Sequence, residues 1–413
     1  MSIEWNNFFA ERTKYITGSQ IRQFFALTER PEVISFAGGF PGNDFFPNED
    51  IAQTLAQLVR EESQQSLQYG PTEGSFELRG LIAKKMAMEG ADCEIDNLMI
   101  IDGSQQGLDF LGRILVNEED PVLVEEPAYI GGMSAIKSYG GVACGVDMDD
   151  DGPLPEKMIL KIEELIREGK QPKVFYTVPN FQNPTGVTTS LERRLEILKI
   201  ASRYNLLIIE DNPYGPLCYE GEVPPSYFSL DADNNRVIYL GSFSKVLIPG
   251  IRIGWIAAAK ALIEKASMVK QTADLCSSTL GQQLACCLSR DSYIDMHTRK
   301  LTELYRQKRD TMLESMERCF PSGIKFNKPR GGFFVWVTFP DHYPDSRELL
   351  QLALENNVAF VHGEGFFSNG GGKKSARFSF SQPSTEEIKK GIKTLGKIFY
   401  DIEGNSSLKA VGH

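Results

Sequence analysis

A lysine that follows two hydroxyl residues and precedes an arginine can do chemistry that a solvated surface lysine cannot. That arrangement occurs in Gly241-Ser242-Phe243-Ser244-Lys245, followed by Pro249-Gly250-Ile251-Arg252-Ile253-Gly254-Trp255. Cationic surroundings favour the neutral amine, which is the form that makes an imine. The hydroxyls and Arg252 suit an anionic ligand that also bears a carbonyl. A lone lysine is more commonly just a solvated charge, so the segment needs company.

Three other segments supply it. Gly103-Ser104-Gln105 enters a helix, whose free N–H groups and dipole favour a phosphate, although Gly-Ser before a helix is more often a plain cap. Val178-Pro179-Asn180-Phe181-Gln182-Asn183-Pro184-Thr185-Gly186 is dense in turn formers and reads as a site loop or as an ordinary one. Glu210-Asp211-Asn212-Pro213-Tyr214 places acids where an apolar run ends, either for function or as half of an ion pair.

The elements that must position these residues alternate. Ile95 to Ile101, Pro121 to Val124, Lys173 to Thr177, Leu206 to Ile209 and Val237 to Leu240 are short apolar runs that read as strands. Gly107 to Leu115 has helical periodicity, and Thr189-Ser190-Leu191-Glu192 is a capping-box pattern opening a helix through Tyr204, with Leu191, Leu195 and Leu198 along one face. This alternation predicts an α/β fold: a large domain with a mainly parallel, helix-covered sheet, whose ligands collect outside the carboxyl ends of the strands. Beyond about residue 290, a long charged helix (Thr298 to Arg318) and Gly331 to Val337 predict a smaller α+β domain. The expected division is an N-terminal segment at 1–45, a large domain at 46–290 and a small domain at 291–413.

With 413 residues the chain is long enough for two cores, and 41% hydrophobic and 24% charged residues are ordinary for a folded protein. A net charge of −11 argues against nucleic acid as a partner. No apolar run has the length of a membrane span and the first residues lack a signal-peptide core, so the expected location is the cytoplasm. Seven cysteines without a CxxC pair and four histidines without ligand spacing predict reduced thiols and no metal. Gly365 to Gly370 has the spacing of a phosphate loop, but Gly371 stands where lysine is required.

Taken together, Ser242-Phe243-Ser244-Lys245 with Arg252, Asn183-Pro184-Thr185-Gly186 and Asp211-Asn212-Pro213-Tyr214 resemble the fold-type I pyridoxal 5'-phosphate (PLP) aminotransferases over nearly the whole chain. Phe36-Ala37-Gly38-Gly39, Gln68-Tyr69-Gly70-Pro71, Gly103 to Gly107 and Glu126-Pro127-Ala128-Tyr129 are similar to the branch holding 2-aminoadipate and kynurenine aminotransferases. The aminotransferase-like half of certain PLP-dependent transcription regulators is similar too, but residues 1–35 leave no room for their winged helix.

The resemblance implies that Lys245 holds PLP as a Schiff base and then moves the substrate proton, while Asp211 keeps the pyridine nitrogen protonated. It implies that Asn183 and Tyr214 bond the ring hydroxyl and that Tyr129 stacks on the ring. Ser104, Gln105, Ser242, Ser244 and Arg252 would form the phosphate cup. Tyr69 would reach the phosphate of a neighbouring subunit, which requires a homodimer. Arg377 would grip the substrate α-carboxylate together with Asn183, the bland alternative being a strand-edge surface charge. Gly39 would admit the substrate, and Arg22 would meet acidic side chains or else be an exposed helix residue. The implied reaction moves the amino group of a 2-aminoadipate, aromatic or branched-chain donor to a 2-oxo acid, 2-oxoglutarate or pyruvate. A PLP lyase or decarboxylase and a non-catalytic effector-binding module are the competing readings.

Overall fold

The computed structural model describes residues 3–16, 18, 30–231 and 236–410. Its centre is an eight-stranded sheet made of β2 (Leu98–Ile101), β3 (Pro121–Glu126), β4 (Val142–Asp149), β5 (Gly152–Pro153), β6 (Val174–Thr177), β7 (Leu207–Asp211), β8 (Val237–Ser242) and β9 (Gly254–Ala257). Their order is β2-β9-β8-β7-β6-β3-β4-β5. The central strands β8, β7, β6, β3 and β4 run parallel. All of β3, β6 and β8 is buried, which is why these segments read as continuous apolar runs rather than alternating ones. Both β2 and β8 pair antiparallel with β9, so β2 points the same way as the parallel strands. The carboxyl ends of β2 and the parallel strands therefore open at one edge of the sheet.

A second sheet, β10 (Lys325–Phe326), β11 (Phe334–Thr338), β13 (Val361–His362) and β14 (Ser375–Ser379), is antiparallel in the order β10-β11-β14-β13. Two long helices, Tyr293–Cys319 and Thr385–Ala410, pack on one another beside it. The parallel pair β1 (Ile34–Ser35) and β12 (Val358–Ala359) ties the early chain to this second region. Among the described residues, no helix is long and apolar enough to cross a membrane.

Two local expectations change. Ile95–Asn97 is a 3-10 turn, and the strand starts at Leu98. The helix Leu191–Tyr204 is capped by Ser190, whose Oγ accepts from Arg193 N at 3.4 Å, and it buries Arg194, Ile197, Ile200 and Ala201. Of the expected apolar face, Leu191 (42%) and Leu195 (41%) are exposed, while Leu198 is half-buried against the core. The cause is Arg194, whose guanidinium donates to the carbonyls of Thr189, Pro179, Pro224 and Pro225 and to Asn180 Oδ1. Five acceptors for one buried guanidinium outweigh two leucines on the surface.

Candidate active site

The strand ends collect the residues that sequence motifs single out. Ser242 is the last residue of β8, and its Oγ accepts from Ser244 N at 3.1 Å, shaping the turn that delivers Lys245. Lys245 Nζ donates to the Gly39 carbonyl at 3.0 Å and lies 5.8 Å from the centre of the Tyr214 ring. Burial lowers the pKa of this amine to about 8; the positive charge of Arg252 adds to the effect, Asp211 opposes it and Arg377 adds a smaller push.

Asp211 ends β7 and is 3% exposed. Burial raises its pKa to about 6, opposed by the Tyr176 hydroxyl, which donates to Oδ2 at 3.1 Å. Oδ1 is buried without a hydrogen-bond partner. A buried carboxylate oxygen left open costs stability, so it marks a place built for a donor that arrives from outside the chain.

The loop after β6 is held by a buried polar network that carries Asn183. Glu125 accepts from Thr177 Oγ1 at 2.6 Å, Val178 N at 3.1 Å and Gln182 Nε2 at 2.8 Å. Gln182 Oε1 in turn accepts from Thr185 N and Oγ1 at 3.0 and 2.6 Å. Tyr214, on the segment after β7, is buried beside Phe333 and Phe334, and that burial pushes its hydroxyl pKa far up.

At the other end, Gly103 precedes the helix Ser104–Leu115, so the N–H groups of Ser104 and Gln105 stand free of intrahelical partners. Gly103 has φ of 79°, and a Cβ there would lie 2.5 Å from Arg252 Nη2, so only glycine lets the arginine cross the helix mouth. Arg252 Nη2 donates to the Asp102 carbonyl at 3.0 Å. Together these groups form a concave, positive surface. Tyr129, following β3, feels the charges of Asp211, Arg377 and Arg252 and is raised to about 12 chiefly by burial. Gln105 is exposed and its side chain donates to the Gly131 carbonyl at 3.1 Å.

Arg377 lies on β14, an interior strand between β11 and β13, and is 3% exposed. The strand-edge alternative is thereby excluded. Nη1 donates to Asn183 Oδ1 at 2.8 Å and Nη2 to the Ala37 carbonyl at 2.7 Å, while Nε is buried without a partner. The guanidinium carbon lies 4.5 Å from the Phe334 ring centre and 5.2 Å from that of Phe366. No carboxylate pairs with it among the described residues, and burial lowers its pKa to about 10. A Cβ on Gly39 would stand 3.2 Å from the Phe334 ring and 3.8 Å from Arg377 Nη1, so glycine keeps this approach open.

One expected site residue, Tyr69, is not brought into the cluster by the single chain: it is 79% exposed. Arg22 falls outside the described residues. Tyr176 and Glu125 carry no motif and were not singled out from the sequence. Their signal is register: Tyr176 pairs with Ile209, two residues before Asp211, and so shares its face of the sheet.

The family profile described as aminotransferase class I and II matches residues 31–395. The chain belongs to this family. The aromatic-amino-acid aminotransferase 1 of Thermococcus litoralis is 40% identical over 96% of this chain and 95% of its own length. A solved multiple substrate aminotransferase from Thermococcus profundus superposes with a TM-score of 0.92 at 39% identity, covering 98% of this chain and 100% of that one. LysN, the alpha-aminoadipate aminotransferase of Thermus thermophilus, solved with N-(5'-phosphopyridoxyl)-L-leucine, superposes with a TM-score of 0.88 at 34% identity, over 97% and 100%. The fold is that of the fold-type I aminotransferases, as the resemblance of the motifs implies.

Proposed function

We propose that this aminotransferase takes the α-amino group from aromatic or branched-chain amino acids and passes it to 2-oxoglutarate or pyruvate in a ping-pong cycle, acting in the cytoplasm as a homodimer. Its cofactor is PLP, and the residues present fit that group: an open carboxylate oxygen on Asp211, a positive concave surface around Arg252 and an amine of lowered pKa on Lys245. When bound, PLP supplies an aldehyde that accepts the amino group and a ring that draws electrons from the substrate α-carbon.

The chain's own residues bind, orient and move protons. Ser104, Gln105, Ser242, Ser244 and Arg252 hold the phosphate, and Tyr69 completes this cup in the neighbouring subunit. Tyr129 would cover one ring face, Asn183 and Tyr214 would bond the ring hydroxyl, and Asp211 would keep the ring nitrogen protonated. Lys245 holds a proton and moves it at the substrate α-carbon. Arg377 binds the α-carboxylate beside Asn183, and Gly39 leaves room for the substrate backbone. Phe334 and Phe366 flank Arg377, which favours an apolar side chain on the donor. Acceptance of 2-aminoadipate as donor would fall to Arg22.

The observation that carries this reading is the half-buried Lys245 amine just after β8, which donates to the Gly39 carbonyl at 3.0 Å and whose pKa burial and Arg252 lower to about 8. Half-reactions test it. An aromatic or branched-chain amino acid alone should bleach the visible absorption of the bound cofactor once, and a 2-oxo acid should restore it. Release of ammonia or carbon dioxide without a need for the oxo acid would point to a lyase or decarboxylase, and binding without a spectral change to an effector module.

The lowered pKa of Lys245 gives a pH prediction for the apoenzyme. The neutral amine is the reactive form, so PLP capture should quicken about tenfold between pH 7 and 9 and level off above the pKa of about 8. Stopped-flow absorbance checks this, and a rate still climbing steeply at pH 10 would contradict it.

A further inference from the structure

Tyr176 sits at the centre of the buried sheet, yet its hydroxyl reaches a charged group. On β6 it lies opposite Ile209 of β7, so Asp211, two residues on, is its diagonal neighbour on the same face. Diagonal partners on adjacent strands stand within reach of a tyrosine ring. The helix that crosses this face makes space for the ring through Gly132, where a Cβ would meet Tyr176 Cε1 at 2.3 Å and its hydroxyl oxygen at 2.9 Å. Burial drives the hydroxyl pKa far above its ordinary value, so Tyr176 keeps its proton and acts as a donor. That proton goes to Asp211 Oδ2 at 3.1 Å, and Oδ1 is left without a partner.

We infer that Tyr176 is a positioning residue: its hydroxyl anchors one oxygen of the Asp211 carboxylate so that the other is presented to the ring nitrogen of the cofactor. The inference rests on the assignment of Asp211 made above. A carboxylate with both oxygens free rotates about its terminal torsion, and one with both bonded by the protein has nothing left to offer an incoming donor. A single fixed donor gives a charged oxygen of set direction, which is what preorganisation of a bound group requires. A phenylalanine would fill the same apolar space, so packing alone does not call for the hydroxyl.

The test compares apoenzymes for binding of PLP and of its 1-deaza analogue, in which a C–H replaces the ring nitrogen, by equilibrium dialysis. Wild type should prefer PLP. Tyr176→Phe should shrink that preference about five- to tenfold by weakening PLP alone, with the deaza analogue bound as before and Tm nearly unchanged. In an Asp211→Asn background the same substitution should add no further loss, because Tyr176 acts through Asp211. In turnover assays, Tyr176→Phe should lower kcat with little change in KM and move the acid limb of the kcat profile to higher pH, since Asp211 loses a donor that stabilises its charged form.

An unchanged preference in Tyr176→Phe, or equal weakening of both ligands, would overturn the inference. A wild-type enzyme with no preference would overturn the Asp211 assignment and this inference with it. Should Tyr176→Phe fail to fold, Gly132→Ala, which crowds the hydroxyl away from Asp211, should shrink the preference in the same way, and a full preference there would overturn the inference.

Discussion

Lys245→Ala is expected to reduce turnover about 10⁴-fold or more while the protein stays folded. The size follows from two losses in one side chain. The variant has no amine to capture the cofactor covalently and none to move the proton at the substrate α-carbon. A positioned general base alone contributes roughly 10²- to 10⁴-fold. The fold should tolerate the change because the native amine is held in a place that disfavours its charge, with a pKa of about 8, and its polar contact is the Gly39 carbonyl. Removing an amine that burial and Arg252 already disfavour relieves a cost rather than breaking an ion pair. Steady-state kinetics and thermal melting check both halves. Turnover within about tenfold of wild type would remove Lys245 from the chemistry, and a collapsed melting transition would make it a structural residue.

Arg377→Ala is expected to lower kcat/KM for amino acids about 100-fold, with most of the loss in KM. The guanidinium is buried, carries no carboxylate partner among the described residues and keeps its Nε open, which leaves it able to take a substrate carboxylate. Losing two charge-assisted hydrogen bonds amounts to about 3 kcal/mol in an enclosed site, which corresponds to the stated factor. Arg377 also binds Asn183 and the Ala37 carbonyl, so some stability should be lost with it. Arg377→Lys should rescue poorly, because an ammonium cannot reproduce the planar fork that reaches Asn183, Ala37 and a carboxylate at once. Kinetics with a primary amine lacking the carboxylate separate the roles: the substitution should leave that weak reaction nearly unchanged. An unaltered KM for amino acids would assign the carboxylate clamp elsewhere.

Much of this was legible in the sequence because the site lies where strands end. A parallel strand buried on both faces is a short apolar run, and the polar residue that stops the run is the one delivered to the sheet edge. Asp211 and Ser242 are literally the last residues of their strands. Gly103 was legible as a helix mouth, though its need for glycine comes from Arg252, a residue far along the chain that no local pattern connects to it.

What stayed hidden depends on register and on long-range polar contacts. Tyr176 looks like one more strand residue in Val174–Thr177 until its pairing with Ile209 sets its face. The outward turn of Leu191 and Leu195 was missed because periodicity weighs apolar residues alone, and it takes no account of a fully buried arginine that finds five acceptors. The sequence leaves an edge charge open as an alternative for Arg377, and the strand order between β11 and β13 removes it.

The most direct measurement of the central claim is reduction of the PLP-loaded enzyme with borohydride followed by peptide mass spectrometry. The account predicts a single phosphopyridoxyl group on the peptide that contains Ser242 to Lys245, attached to Lys245. Label on another lysine, or none while the enzyme turns over, would contradict it.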